Sequence, residues 1–423
     1  MKIEILCTGD EVLTGKTVNS NYSHIARRLF ENGLEPHWGT TVGDDRESLV
    51  KALLQAARRA DAVIVNGGLG PTVDDLSQEV AASAAGVGLE LNQAWLNRIR
   101  RWYESNGRQM PENNTKQAML PEGAEMIDNP IGTACGFALD IHGSRFFFTP
   151  GVPRELYRML DEQILPRLQS LHGRQMFSRV KRFHTFGIGE SRADRLLEHI
   201  EAIDAEGVVK LGFQSHFPQL ETKLSVRLGS EAELDTRLAP VIDAVRDQIG
   251  AYILCEDDES LEDVIINGLN RSGATLSLLE AGTLGSITGR LLGHPDGHKV
   301  IKPGLIANSP VEICRLLQLE AEANDTGFNE DYARHAAVAV RRFNQAALGM
   351  AVLMQDRTDR PNGKQGKDVF IAISNEQDTA LRKAVLPGRA GWTRLGAAEL
   401  ACDCLRRFLA NQAVYERIDF EQH

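Results

Sequence analysis

Apolar and polar positions change period several times along the chain. Residues 3–8 form a short apolar run that reads as a buried strand. Tyr22, Ile25, Ala26, Leu29 and Phe30 then recur at helical spacing, with Gly33 just past the end of that face. A short run at 38–42 predicts a second strand. Leu49, Val50, Leu53, Leu54 and Ala57 mark a second helix, and residues 62–66 a third strand. Strand–helix–strand–helix–strand with short connections predicts a parallel sheet that binds ligands at the carboxyl ends of its strands. Both glycine-bearing segments, 8–15 and 67–72, follow strands directly and so fall at one edge of that sheet.

The same unit continues with an amphipathic helix near 92–105 (Trp95, Leu96, Ile99, Trp102, Tyr103). A hairpin over 136–149 follows, turning at His142-Gly143-Ser144. Pro150-Gly151-Val152-Pro153 then opens a helix ending near Leu168, and the polar stretch at 171–179 is the first boundary. A smaller α+β unit is expected over about 180–253. Its clearest element is 220–228, where Leu220, Thr222, Leu224, Val226 and Leu228 alternate with charged or polar residues as a half-exposed strand does. The acidic run Glu256-Asp257-Asp258-Glu259-Ser260 reads as a linker closed by a cap between Ser260 and Asp263. A third domain finishes with a helix across about 393–411.

The length of 423 residues suits two to four domains. A net charge of −11 argues against a general nucleic-acid or membrane-surface binder. No apolar run approaches the roughly 18 residues of a membrane helix, and the first residues do not read as a signal peptide. Six scattered cysteines without CxxC pairs suit reduced thiols in the cytoplasm. His294 and His298 are four apart, but Pro295 and Gly297 make their segment a turn, which argues against zinc.

Candidate chemistry concentrates at Asn66-Gly67-Gly68-Leu69-Gly70-Pro71-Thr72-Val73-Asp74-Asp75. Glycines let a ligand approach the backbone, and the next helix offers free N–H donors, as in a phosphate cradle. Asp74 and Asp75 would repel a bare phosphate, so a divalent cation between them resolves the conflict. The alternative is structural: Thr72 and Asp75 form a capping pair, and the carboxylates only complement the helix dipole.

Five segments, in order, resemble the CinA family. They are Thr8-Gly9-Asp10-Glu11 with Leu13, Gly15, Asn19 and Asn21; Gly67-Gly68-Leu69-Gly70-Pro71-Thr72 with Asp74 and Asp75; Asn114-Thr115-Lys116-Gln117-Ala118 with Pro121; Asn129-Pro130-Ile131-Gly132-Thr133-Ala134; and Pro150-Gly151-Val152-Pro153 with Glu155. Phe186-Gly187-Ile188-Gly189-Glu190-Ser191 resembles the start of the family's KH-like module but lacks the GxxG spacing of a nucleic-acid-binding loop. A spacer is therefore expected there, and nucleic acid is not expected as a partner.

The resemblance implies an α/β protein. It assigns 1–172 to a three-layer, parallel-sheet molybdopterin-binding-like domain, 173–255 to a KH-like α+β module and 256–423 to a C-terminal deamidase-like α/β domain. It implies that the first domain hydrolyses the pyrophosphate of ADP-ribose or a related nucleotide with a divalent ion (Mg, Mn or Co) held by Asp74 and Asp75. Glu11 and Asp10 would add a carboxylate or orient water. Thr8, Gly9, Asn19, Asn21, Gly67, Gly68, Gly70, Thr72, Lys116, Asn129 and Gly132 would line the nucleotide, although a cap or turn role suits Asn19 and Asn21 equally. A homodimer is implied as well. A pterin- or nucleotide-binding module without hydrolysis, or a regulatory scaffold, are the competing readings.

In the third domain the chain departs from the family pattern. Ala281 stands where the family's nucleophilic serine falls in its Ala-Glu-Ser-Cys-Thr-Gly-Gly loop, and a methyl group cannot attack an amide. Asn308 and Ile313 replace the tyrosine and lysine of a second segment. A glycine-rich third segment is replaced near Leu353-Met354-Gln355-Asp356-Arg357-Thr358. A neighbouring hydroxyl such as Ser286 or Ser309 could rescue one of these losses, but three at separate places are hard to rescue. These departures predict a third domain without nicotinamide mononucleotide deamidase activity, and place any chemistry at the first domain's glycine loop.

Overall fold

The computed structural model describes residues 1–173, 176–318, 327–357, 366–415 and 418–421. The chain divides into two compact units, Met1–Arg179 with Arg227–Asp235, and Val180–Val226 with Thr236–His423.

In the first unit, β1 (Ile3–Thr8), β2 (Pro36–Val42) and β3 (Ala62–Asn66) form the predicted strands. A ribbon of β4 (Leu89–Leu91) and β5 (Met119–Pro121) lies outside the main sheet, which is completed by β6 (Glu125–Ile127), β7 (Gly136–Ile141) and β8 (Ser144–Thr149). The order is β2-β1-β3-β8-β7-β6, parallel from β2 to β8 and antiparallel over the last pairs. The predicted hairpin is β7–β8, with His142 and Gly143 at positive φ in its turn.

Period-two alternation sends the strand side chains into two cores. Val63, Val65, Phe146 and Phe148 face one layer of helices, while Ala62, Ile64 and Phe147 face the other. Buried on both faces, β3 reads as the continuous apolar run of a parallel strand. The helix Gln93–Ser105 is capped by Asn92 and seats Trp95, Leu96 and Ile99 in the first of these cores.

In the second unit, β9 (Phe177–Phe186), β10 (Lys210–His216), β11 (Gln219–Leu228) and β12 (Ile253–Glu256) make a sheet in the order β10-β11-β9-β12. β11 alternates as expected, burying Leu220, Thr222, Leu224 and Val226. A five-stranded sheet follows: β13 (Leu276–Ala281), β14 (Leu305–Ile306), β15 (Leu348–Asp356), β16 (Gly366–Ser374) and β17 (Thr379–Pro387), in the order β14-β13-β15-β16-β17. β13 runs parallel to β14 and β15, and β15–β16–β17 is an antiparallel meander.

The acidic run after β12 is not a solvated linker. Leu254 and Cys255 sit in the core of the five-stranded sheet. Lys181 Nζ lies 2.6 Å from both Glu256 and Asp257, and Arg246 lies 2.7 Å from Glu256. The cap at its end forms as expected, Ser260 and Asp263 exchanging hydrogen bonds at the start of the helix Leu261–Ser272. Among the described residues, no helix is long and apolar enough to cross a membrane.

Candidate functional site

At the carboxyl edge of the first sheet, β1 and β3 lie side by side, so the two glycine segments meet as expected. Gly67 has φ 115, and a Cβ there would stand 2.5 Å from Thr8 Oγ1. Gly9 has φ 136, and its missing Cβ clears the Glu11 carboxylate. Gly68 makes room for Ser77, whose hydroxyl donates to the Gly67 carbonyl at 2.8 Å.

Beneath this loop lies a buried amide network. Asn21 Nδ2 donates to Asn66 Oδ1 (3.0 Å) and to the Gly151 carbonyl (2.8 Å). Asn66 Nδ2 in turn donates to Thr149 Oγ1 and the Pro150 carbonyl. Thr8 Oγ1 and Asn21 Oδ1 are buried with no partner in the protein, an arrangement that favours a bound ligand or water. Thr149 did not stand out in the sequence, because its partners Asn66 and Val65 come from β3.

Asp75 is engaged within its own turn. Asp75 Oδ2 accepts the Thr72 N–H at 2.8 Å and the Thr72 hydroxyl, and Gly70 is the residue that fits against it. The pair closes a turn ahead of the helix Ser77–Ala85, whose own N-cap position is Leu76, so it does not cap that helix. Asp74 is exposed beside it. Asp10 and Asp44 exchange backbone-to-carboxylate bonds of 3.1 and 3.2 Å, joining the ends of β1 and β2. Burial pushes the Asp44 carboxyl above the usual range, and the negative charges of Asp10, Glu11 and Asp74 add to that rise. Asp44 was not singled out in the sequence. Among the described residues, no set of three or more His, Cys, Asp or Glu side chains is gathered to hold a metal ion.

The remaining first-domain candidates are tied to structure. Asn19 caps the helix Ser20–Glu31 by accepting from Tyr22 N–H. Lys116 Nζ donates to the Thr72 carbonyl at 2.9 Å. Asn129 is fully buried, and its amide donates to the Ala134 carbonyl and Glu155 while accepting from the N–H groups of Ile131 and Gly132. It shapes its own loop, in which Gly132 packs against Glu155.

A second candidate lies at the carboxyl end of β13. The chain reverses there through Gly282 (φ 92), Leu284 (φ 56) and Gly285 (φ 76) into the helix Ser286–Gly293. A Cβ on Gly285 would meet the Ile306 side chain at 2.6 Å. Glu280 is fully buried; its Oε2 accepts from the Thr283 hydroxyl (2.6 Å) and Ile287 N–H (3.3 Å). Its Oε1 accepts from the N–H and hydroxyl of Thr288, both at 2.7 Å. The carboxylate therefore caps the first helical turn, where N–H donors and the helix dipole favour it. Ala281 packs in the opposite layer, with Leu279 and Ile313. The Ser286 hydroxyl, in that first turn, is buried with no protein partner, although its residue is partly exposed.

The second departing segment is a capped helix start: Ser309 Oγ accepts from Glu312 N–H, and Asn308 N–H donates to the Glu312 carboxylate at 2.8 Å. Ile313 is core. Leu353 is buried in β15, and Thr358 lies outside the described residues.

Residues 4–170 match the family described as "Probable molybdopterin binding domain" and residues 180–254 the "Damage-inducible protein CinA KH domain". A "CinA-like protein" of Shewanella amazonensis is 36% identical over 98% of this chain and 97% of its own. The "Nicotinamide-nucleotide amidohydrolase PncC" of Shewanella oneidensis is 35% identical over the same shares. A crystal structure of CinA from Thermoplasma acidophilum is 31% identical, covers 39% of this chain and 97% of its own, and superposes with a TM-score of 0.36.

The full-length relative named for amide hydrolysis corrects two expectations. It overturns the ADP-ribose pyrophosphatase expected of the first domain, and the lack of deamidase activity expected of the third. Physical reasons are visible at both places. Asp75 is bound within its own turn. The missing hydroxyl at Ala281 leaves those of Thr283, Ser286 and Thr288 in the same loop.

Proposed function

We propose, for a chain that belongs to the CinA-like protein family, that the third domain is an amidohydrolase acting on the carboxamide of a nicotinamide nucleotide. The observation that carries this reading is the Ser286 hydroxyl, buried and unpartnered at the first turn of the helix after β13. A buried hydroxyl without a protein partner is costly unless something else completes its hydrogen bonding. A substrate carboxamide has both a donor and an acceptor to offer. In this reading Ser286 Oγ, not residue 281, attacks the carboxamide carbon; ammonia leaves, and water then releases the carboxylate product.

Glu280 keeps the loop in place. By accepting four hydrogen bonds from Thr283, Ile287 and Thr288 it fixes the turn that presents Ser286. Leu284 and Ile306, both exposed beside this turn, provide apolar surface for a pyridine ring. Placement in the cytoplasm is supported by six cysteines that are all unpaired. A homodimer belongs to the same reading.

The test is ammonia release from nicotinamide mononucleotide by the full-length protein. Turnover is expected, and Ser286→Ala should lower it by about 10³-fold or more, with Glu280 and the fold intact. No ammonia from the wild-type protein, or undiminished turnover by Ser286→Ala, would sink the assignment.

A further inference from the structure

The turn between β10 and β11 of the KH-like module lies along the helix Ala390–Leu409 of the third domain. The Phe217 ring centroid is 4.3 Å from that of Trp392, and a Cβ built on Gly396 would meet the tip of the Phe217 ring at 3.7 Å. Residues 392, 396 and 399 share one face of that helix. Further along the same face, Gln219 Nε2 donates to Glu399 Oε1 at 2.5 Å. The contact between module and domain is therefore apolar at Phe217 and polar at Gln219.

Glu399 is buried, and a buried carboxylate is costly unless both of its oxygens are engaged. Its Oε2 accepts from Arg290 at 2.7 Å. The Arg290 Nε in turn donates at 2.5 Å to Glu262, in the first turn of the helix Leu261–Ser272. Arg290 follows Ser286 by four residues on the helix Ser286–Gly293, so their side chains share a face. The series Gln219–Glu399–Arg290 thus runs from a strand end of the KH-like module to the helix whose first residue is Ser286. Without the Gln219 donor, one oxygen of a buried acid loses its partner among the described residues. The acid, and the guanidinium that follows it, must then rearrange.

We propose that the KH-like module is a positioning element for the amidohydrolase and not an inert spacer: through Gln219, Glu399 and Arg290 it holds the helix that carries Ser286. Gln219 touches no reacting atom and acts only through the two charged side chains. A small displacement of a catalytic group, made from a distance, is enough to slow a reaction strongly. The effect on rate rests on the amidohydrolase reading, whereas the hold on the helix is measurable without substrate.

The test compares four full-length proteins: wild type, Gln219→Glu, Glu399→Gln and the double variant. Gln219→Glu replaces the donor by a carboxylate of the same shape. Glu399→Gln keeps one oxygen for Arg290 but turns an amide N–H₂ toward the Gln219 donor. In the double variant the polarity is exchanged, so the new amide at 399 donates to the new carboxylate at 219 and still accepts from Arg290. Each single variant should exchange the amide hydrogens of residues 286–290 roughly tenfold faster than wild type, and lower kcat for ammonia release from nicotinamide mononucleotide roughly tenfold with KM unchanged. The double variant should recover most of both. Gln219→Ala serves if the introduced acid prevents folding. Unchanged exchange at 286–290 in the single variants overturns the proposal, as does faster exchange spread evenly over β13, β15 and β16, which marks a general loss of stability. Failure of the double variant to recover overturns it too. Faster exchange at the helix start with kcat unchanged overturns the positioning role. No ammonia from the wild type fails the amidohydrolase reading, and the exchange comparison alone then upholds or overturns the hold on the helix.

Discussion

One carboxylate oxygen of Glu280 accepts both the N–H and the hydroxyl of Thr288, each at 2.7 Å. With its second oxygen engaged by Thr283 and Ile287, this fully buried acid joins the end of β13 to the helix that follows. Glu280→Ala strands four donors and should destabilise the third domain by about 3 kcal/mol or more. Glu280→Gln keeps one acceptor oxygen but turns an amide N–H₂ toward the other donors, so it should fall between. Amide hydrogen exchange over residues 286–289 checks this ranking; equal protection in all three proteins would contradict the capping role.

The Thr72–Asp75 turn makes a different prediction. Asp75→Ala removes the acceptor of the Thr72 N–H and hydroxyl in this turn and should cost about 1 kcal/mol. Asp75→Asn retains a side-chain oxygen and should cost less. A divalent ion at Asp75 would reverse the emphasis, since an amide is the poorer ligand. In that event Mg, Mn or Co would raise the melting temperature of the wild type and not of Asp75→Asn. The expected outcome is that the ions leave the two proteins equally unaffected, measured by thermal unfolding with and without each metal.

Asp44 gives a pH dependence with a defined sign. Burial, together with Asp10, Glu11 and Asp74, raises its folded-state carboxyl above the unfolded value. A raised carboxyl means the folded state binds the proton more tightly, so this group opposes folding at neutral pH. The opposition is relieved as pH falls through the folded value. Asp44→Asn keeps an oxygen for the Asp10 N–H and removes the charge. It should melt a few degrees higher than wild type at pH 7, on the usual scale for small changes in a domain. The gap should close by about pH 4, near the ordinary carboxylate range. A gap that widens on acidification would show the opposite sign.

Local patterns made much of this fold legible. β3 announced itself as an unbroken apolar run, β11 by strict alternation, and the β7–β8 hairpin by His142-Gly143. The Ser260–Asp263 cap was readable at a spacing of three. What was not legible depended on partners distant in sequence. Asn66 matters because β8 brings Thr149 and Pro150 beside it, 83 and 84 residues on. The acids after β12 resembled a solvated linker because Lys181 and Arg246, which pair with them, lie elsewhere in the chain. Nothing in the sequence marked Glu280, and only the three-dimensional turn shows all four of its hydrogen bonds directed into the helix start.

Gly67 offers the strictest test of the first sheet edge. Its φ of 115 lies where side chains are rarely tolerated, and a Cβ would stand 2.5 Å from Thr8 Oγ1 and 3.0 Å from the Thr8 carbonyl oxygen. Gly67→Ala should therefore destabilise the first unit by about 3 kcal/mol. Adding Thr8→Ala removes the hydroxyl clash but neither the carbonyl contact nor the backbone strain, so rescue should be partial. Because Thr8 Oγ1 has no partner in the protein, Thr8→Ala alone should cost less than about 1 kcal/mol. Chemical denaturation of the four proteins forms a double-mutant cycle. Full rescue would assign the whole penalty to the side-chain clash, and no rescue would assign it to the backbone; the geometry predicts a value between them.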